Sequence, residues 1–310
     1  GNGRTIAVIG GGPAGIEAAL TLKRRGFKPV IFDGADRLGG TLNTADKGYG
    51  KDKITSYVDS LITQVEKAGI EIQLGKPATV EDVKAISPAG VILAIGAEPI
   101  IPPVDGVKGE RVVTAESVLL EQTKPTGNVA VIGAGNVAID SARTALRLGA
   151  EEVHVVYRRS SDEMPARAEE VAHAREEGVV FEMLQNAKRI LGDEAGRVRA
   201  LECLRYELGE PDASGRRRPV EIPGSAFEMA LDTVIVAIGN ESNPLTRQTA
   251  EGLAVDARGH IVVDGTGQTS IDRVYAGGDI VLGAATVILA MGEGRRAAAA
   301  INARLASAGR

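Results

Sequence analysis

Short apolar runs and stretches of helical spacing alternate along this chain, beginning with Thr5 to Ile9, which leads through Gly10-Gly11-Gly12-Pro13-Ala14-Gly15 into an Ala/Leu-rich segment ending near Arg25. An apolar run, a glycine turn and a 3.6-residue period predict strand, turn and helix. A second apolar run, Pro29 to Phe32, ends on Asp33. A polar, glycine-bearing loop then runs to Gly50, helical spacing covers Ile54 to Ala68, and a strand follows over Ile70 to Leu74. After Thr79 to Ala85, a strand over Gly90 to Ile95 closes on Gly96-Ala97-Glu98-Pro99.

Pro102, Pro103, Gly106 and Gly109 break the pattern, as does Lys124-Pro125-Thr126-Gly127, with one helix, Ala115 to Glu121, between them. The opening theme then recurs: a strand over Asn128 to Ile132, the turn Gly133-Ala134-Gly135-Asn136-Val137-Ala138, a helix over Ile139 to Leu148 and a strand over Glu152 to Val156. Gly133 stands 123 residues after Gly10, an internal repeat that predicts two related nucleotide-binding units. From Val179 to Phe227 the pattern becomes alternating strands, with a hairpin turn over Gly192 to Gly196 and a longer loop over Gly209 to Pro219. Strands over Thr233 to Ala237 and Ile261 to Asp264 follow, then Val274-Tyr275-Ala276-Gly277-Gly278-Asp279 and a final helix from near Ala285 to about Ala306. The expected fold is α/β with two Rossmann-like three-layer domains. Residues 1–105 and 265–310 form the first, discontinuous domain, and residues 106–264 form an inserted second domain carrying a β-meander.

Composition narrows the function classes. Aromatics reach 3%, tryptophan is absent and the net charge is -5, so no basic or stacking surface for nucleic acid or anionic membrane is expected. Arg216-Arg217-Arg218 sits among turn residues and is read as a solvated loop. No apolar stretch approaches the roughly 18 residues of a membrane span, and the amino terminus has no signal-peptide layout, so a cytoplasmic protein is expected. The one cysteine, Cys203, lies in a strand-like run and is read as a core residue; it forms no internal disulfide or Cys-x-x-Cys pair. His154, His173 and His260 have no ligand spacing, so no metal site is expected.

The two glycine turns carry the chemistry. A helix amino terminus offers free N–H groups and partial positive charge to a pyrophosphate, provided no side chain intervenes. In Gly10-x-Gly12-x-x-Gly15 the first glycine permits the turn, the second the close approach and the third the packing of helix on strand. Asp33, at the end of the next strand, is placed to accept hydrogen bonds from ribose hydroxyls. The second turn, Gly133-x-Gly135-x-x-Ala138, is followed by Tyr157-Arg158-Arg159-Ser160. Two arginines replace the acid there, which suits a ribose 2′-phosphate and points to NADP(H) over NAD(H), the alternative being a pair of solvated strand-end arginines.

These fingerprints, with Ala94-Ile95-Gly96, Ala237-Ile238-Gly239 and Ala276-Gly277-Gly278-Asp279, resemble the two-dinucleotide flavoprotein superfamily that includes glutathione and thioredoxin reductases. Gly133 to Pro165 and Gly277 to Gly292 are similar to the glutamate synthase small-subunit group, including the large subunit of NADH-dependent ferredoxin:NADP oxidoreductase. Asp36 to Asn43 is similar to the flavin domain of dienoyl-CoA and enoate reductases. The resemblance implies FAD in the first unit, held by Gly10, Gly12, Pro13, Ala14, Gly15, Asp33, Gly39, Gly40, Leu42, Ala94, Ile95, Gly96, Gly278 and Asp279, with Thr286 and Val287 at the flavin N1/C2 edge. It implies NADP(H) in the second, held by Gly133, Gly135, Asn136, Val137, Arg158, Arg159, Ile238 and Gly239. Asp140 stands where such reductases keep an acid near the nicotinamide, or is an exposed helical aspartate.

No acid–base catalyst is nominated, because hydride exchange between two dinucleotides needs orientation and electrostatics rather than a proton carrier. The expected activity is NAD(P)H:acceptor oxidoreduction with a ferredoxin, iron-sulfur or second flavin partner. The alternatives are the flavin domain of an enoate-reductase-like enzyme and a flavin-binding redox module that does not turn over. Two departures from the resemblance stand out: these residues hold no cysteine pair, and no iron-sulfur domain like that of the glutamate synthase group is expected among them. The start at Gly1-Asn2-Gly3 leads us to expect a domain of a longer polypeptide.

Overall fold

In the first of two units, β1 (Thr5–Ile9), β2 (Lys28–Phe32), β3 (Glu71–Gln73) and β4 (Gly90–Leu93) lie parallel in the order β3-β2-β1-β4, and the late strand Val274–Ala276 adds to the β4 edge; the short β5 (Ala97–Pro99) follows β4 in the chain. The computed structural model describes residues 1–212, 215–244 and 252–307. Alternation along the strands sends successive side chains to opposite faces. Ile6, Val8, Ile31 and Ile92 meet α1 (Pro13–Arg24), the closing helix Val287–Ser307 and, beyond the one-turn α2 (Leu42–Ala45), α3 (Asp52–Lys67). Ala7, Val30 and Phe32 face the other way, toward Val83 and Ile86 at α4 (Val80–Ala85), whose start is fixed by a capping box between Thr79 and Asp82. Three layers result.

α1 and the closing helix approach closely because Gly294 has no side chain. A Cβ there would collide with the carbonyl oxygen of Ala14. Gly294→Ala is therefore expected to destabilise the protein by about 3 kcal/mol, seen as a lower thermal midpoint, since overpacking a fixed backbone forces the helices apart. An unchanged midpoint would show that they have room to separate.

In the second unit β6 (Val112–Thr114), β7 (Asn128–Ile132), β8 (Glu152–Tyr157), β9 (Val180–Met183) and β14 (Thr233–Val236) form another parallel sheet, ordered β6-β14-β7-β8-β9. Val129 and Val131 face α5 (Ala115–Leu119), α6 (Asn136–Arg147) and α7 (Ala168–Glu176). Ala130 and Ile132 face Ala187, Leu201 and Cys203 of an antiparallel sheet built from β10 (Gln185–Gly192), β11 (Val198–Pro211), β12 (Arg217–Glu221) and β13 (Phe227–Ala230). The meander thus supplies the third layer that a second set of helices would otherwise provide.

Several boundaries differ from the sequence reading. The units are Gly1–Asp46, Lys51–Glu98 and Asn240–Arg310 in one and Lys47–Gly50 with Pro99–Gly239 in the other, so the divisions expected after residues 105 and 264 fall after Glu98 and Gly239. Residues before 265 join the first unit because Ile261 is buried with Ala276 and Ile280, and its N–H donates to Ile280 O at 2.9 Å. The strand expected over Ile261 to Asp264 is reduced to a single bridge, Val255 to Ile261. Val180–Met183 belongs to the parallel sheet rather than the meander. The loop expected over Gly209 to Pro219 is mostly strand, its Ala213 and Ser214 lying outside the described residues. Arg217 and Arg218 open β12 instead of sitting in a solvated loop. No helix among the described residues is long and apolar enough to cross a membrane.

Candidate functional site

At the carboxyl ends of the first parallel sheet a cleft of about 350 Å³ lies among the glycine turn, the β4 end and the start of the closing helix, where open α/β sheets bind ligands. Its lining includes Gly10, Gly12, Pro13, Ala14, Asp33, Gly40, Leu42, Ala94, Ile95, Gly96, Gly278, Asp279, Thr286 and Val287. These positions are gathered from four separate stretches of chain. Each glycine of the turn has its own task. Gly10 sits at φ +107 with no room for a Cβ against Ala94 O, and Gly15 has none against Gly10 O. Gly12 is different: its φ of -75 suits any residue, and an added Cβ would meet nothing nearer than Gly40 Cα at 3.9 Å. Only Gly12 keeps space open for a ligand. Gly15 and Gly39, expected among the binding residues, do not line the cleft but pack behind it.

Electrostatics match an anion flanked by hydroxyl groups. α1 begins at Gly12 with Pro13 in its first turn and no side-chain cap, so the N–H groups that follow remain for a ligand. The Asp33 carboxylate accepts from Gly11 N–H and, at 2.8 Å, from Ala35 N–H, which holds it at the cleft with lone pairs to spare. Asp279 Oδ1 is buried without a hydrogen-bond partner, and burial raises the carboxyl pKa above its ordinary value. A hydroxyl donor such as a ribityl group would satisfy that oxygen, so these residues fit FAD. Thr286 caps the closing helix, with Leu289 N–H donating to its Oγ1 at 3.4 Å. The sequence reading missed Gly11, which has no room for a Cβ beside Leu38 and Asp33, and the lining residues Thr41, Ala45, Ala97, Ala285 and Ala290, whose small size was the sole available signal.

The second turn repeats this geometry. Gly133 is at φ +126 against Ala237 O, Gly135 begins α6 without a side-chain cap, and a Cβ on Gly135 would meet nothing nearer than Pro165 Cγ at 4.0 Å. Ala138 fills the third position with its Cβ fully buried. Ile238 and Val137 are exposed at this edge, and Gly239 has open space around its α-carbon. The two arginines separate. Arg158 is exposed and makes no side-chain hydrogen bond or ion pair among the described residues, whereas Arg159 is 7% exposed, donating from Nε to Arg217 O and from Nη2 to Asp212 Oδ2, both at 2.8 Å. Arg159, expected at the coenzyme, is instead committed to the protein because Asp212 neutralises it. Asn136, also expected there, accepts Arg167 N–H on its Oδ1 at 3.0 Å. Asp140 is 6% exposed within α6, which removes the exposed-aspartate alternative.

Cys203 is fully buried in β11, and desolvation pushes its thiol pKa up to about 12. It should resist a thiol-alkylating reagent at mildly alkaline pH in the folded protein and react once in denaturant, as counted by intact mass. Labelling of the native protein would contradict this burial.

Residues 4–302 match the model of the family described as pyridine nucleotide-disulphide oxidoreductase. The NADP(+)-dependent formate dehydrogenase subunit beta of Moorella thermoacetica is 38% identical, over 97% of this chain and 44% of that protein. The glutamate synthase [NADPH] small chain of Escherichia coli (strain K12) is 32% identical, over 96% of this chain and 67% of that one. Among solved structures, Mycobacterium tuberculosis FprA in complex with NADPH has a TM-score of 0.81 at 18% identity, covering 99% of this chain and 86% of that one, a likeness of fold. The chain spans about half the length of the first relatives it matches.

Proposed function

We propose, for a chain that belongs to the pyridine nucleotide-disulphide oxidoreductase family, that it exchanges hydride between NADPH and FAD and passes electrons to or from a partner of iron-sulfur or flavin type. The observation that carries this reading is the first cleft, where an uncapped helix start, the tethered Asp33 carboxylate and the orphaned Asp279 oxygen converge. Bound FAD supplies the two-electron chemistry, which no side chain can.

The chain's own residues bind and orient. The first-turn N–H groups of α1 hold the pyrophosphate, Asp33 the adenosine ribose and Asp279 the ribityl side. Thr286 and Val287 line the cleft at the amino end of the closing helix, whose positive potential would favour negative charge on a flavin held there. In the second unit α6 takes the coenzyme's pyrophosphate and Arg158 its 2′-phosphate, while the buried Asp140 is the acid nearest the fingerprint on that helix. A dithiol step has no residues in this chain, since Cys203 stands alone and buried.

The similarity to NADPH-linked subunits supports an electron-transfer partner. Anaerobic turnover with NADPH and ferricyanide as a generic one-electron acceptor tests the function. NADPH oxidation matched by two equivalents of acceptor reduced, as a two-electron donor requires, is expected. A yellow protein that oxidises no NADPH would leave only a flavin-binding module.

A further inference from the structure

The run Ser160-Ser161-Asp162-Glu163-Met164-Pro165-Ala166-Arg167 joins the proposed 2′-phosphate end of the second unit to its glycine turn, and both ends of it are anchored. At the start, Ser160 Oγ accepts Asp162 N–H and donates to Glu163, Tyr157 Oη donates to Glu163 O at 2.8 Å, and the Arg217 guanidinium pairs with the buried Glu163 carboxylate. These contacts hold the Glu163 carboxyl below the ordinary carboxylate range. At the end, Ala166 N–H donates to Ala134 O at 3.2 Å and Arg167 N–H to Asn136 Oδ1 at 3.0 Å, so the chain lies across the glycine turn itself.

Arg167 is the anomaly in this segment. It is the N-cap of α7, makes no side-chain cap bond, and is exposed with no ion pair or side-chain hydrogen bond among the described residues. Of its acidic neighbours, Glu163 pairs with Arg217 and Glu170 with Arg143, while Glu169 in the first turn of α7 makes no ion pair with it among the described residues. A cation at a helix start is disfavoured by the helix dipole, and here the uncapped start of α6 adds its own positive potential within the reach of one side chain. The start of α6, which has neither a side-chain cap nor an acid in its first turn, and an exposed guanidinium without a partner meet at one place and call for an anion.

We propose that Ser160–Arg167 is a clasp over the bound coenzyme and that the Arg167 guanidinium pairs with its pyrophosphate, an inference that rests on the second unit binding NADP(H). Arg158 then reads the 2′-phosphate that distinguishes NADPH, and Arg167 the diphosphate that NADPH and NADH share. Asn136 positions the clasp through Arg167 N–H rather than touching the coenzyme with that oxygen.

The test measures dissociation constants of the FAD-loaded protein for NADPH and NADH in the native chain, Arg167→Ala, Arg167→Lys and Arg158→Ala. Arg167→Ala should weaken both coenzymes about tenfold by the same factor, leaving the NADPH/NADH preference intact, as loss of one charge-assisted contact predicts. Arg167→Lys should recover most of that loss, and the ligand-free thermal midpoint of either variant should not fall. Unchanged affinities in Arg167→Ala, or weakening of NADPH alone, beside a selective loss in Arg158→Ala, overturn the clasp and leave the coenzyme assignment standing. Failure of the native chain to bind either coenzyme brings down that assignment and the clasp with it.

Discussion

Gly12→Val should yield a folded protein that purifies without its yellow colour. The backbone at Gly12 is open to any residue and an added Cβ meets no protein atom closer than 3.9 Å, so the fold has no backbone clash with which to reject it. The branches of valine would instead fill the space between α1 and Gly40 through which a pyrophosphate must approach. The expected loss of FAD affinity is at least about 100-fold, roughly 3 kcal/mol, because close approach is the whole purpose of that position. Visible absorbance relative to protein, together with the circular dichroism of the purified variant, reads both halves of the prediction. Gly15→Val is its counterpart: a Cβ there collides with Gly10 O, and unfolding rather than a colourless native state should follow. A Gly12→Val protein that retains full flavin would place the ligand elsewhere.

Arg158→Asp should reverse the coenzyme preference. The free guanidinium is lost together with its charge-assisted bonds to a 2′-phosphate, each worth about 1.5–3 kcal/mol, and a carboxylate in its place repels phosphate while accepting ribose hydroxyls. Flavin reduction by NADPH should slow about 100-fold or more in second-order rate, with NADH unchanged or improved. Arg159→Ala should behave otherwise. Removing the guanidinium takes away its ion pair with Asp212 and its bond to Arg217 O, so a stability loss of about 2 kcal/mol is expected with little change in preference. Equal loss of NADPH affinity in both variants would contradict the division of labour between these neighbours.

How much of this could be read from the residues follows from what local rules can reach. Gly10, Gly15 and Gly133 were legible because a strand turning sharply into a helix admits nothing larger, and Asp33 because it ends the next strand. The repeat made the second unit legible in the same way. Arg159 was misread because its partner Asp212 stands 53 residues away, in a meander whose register no local pattern fixes. Gly209, Pro211 and Pro219 read as a loop by composition, yet they lie in β11 and β12, where Pro211 ends one strand and Pro219 lies in an outer one. α7 went unseen since only Val171 and Ala174 of it are buried, too few to give a period. The alanines of the cleft wall carry no chemistry of their own; they were chosen for being small next to something large.

One measurement bears on the central claim more directly than any other: anaerobic rapid mixing of the purified protein with NADPH, and separately with NADH, while the visible flavin band is followed. Bleaching of the band by NADPH, faster than by NADH and returning on admission of an oxidant, is the predicted result. A band untouched by either coenzyme would contradict the oxidoreductase function, and faster bleaching by NADH would contradict the role given to Arg158.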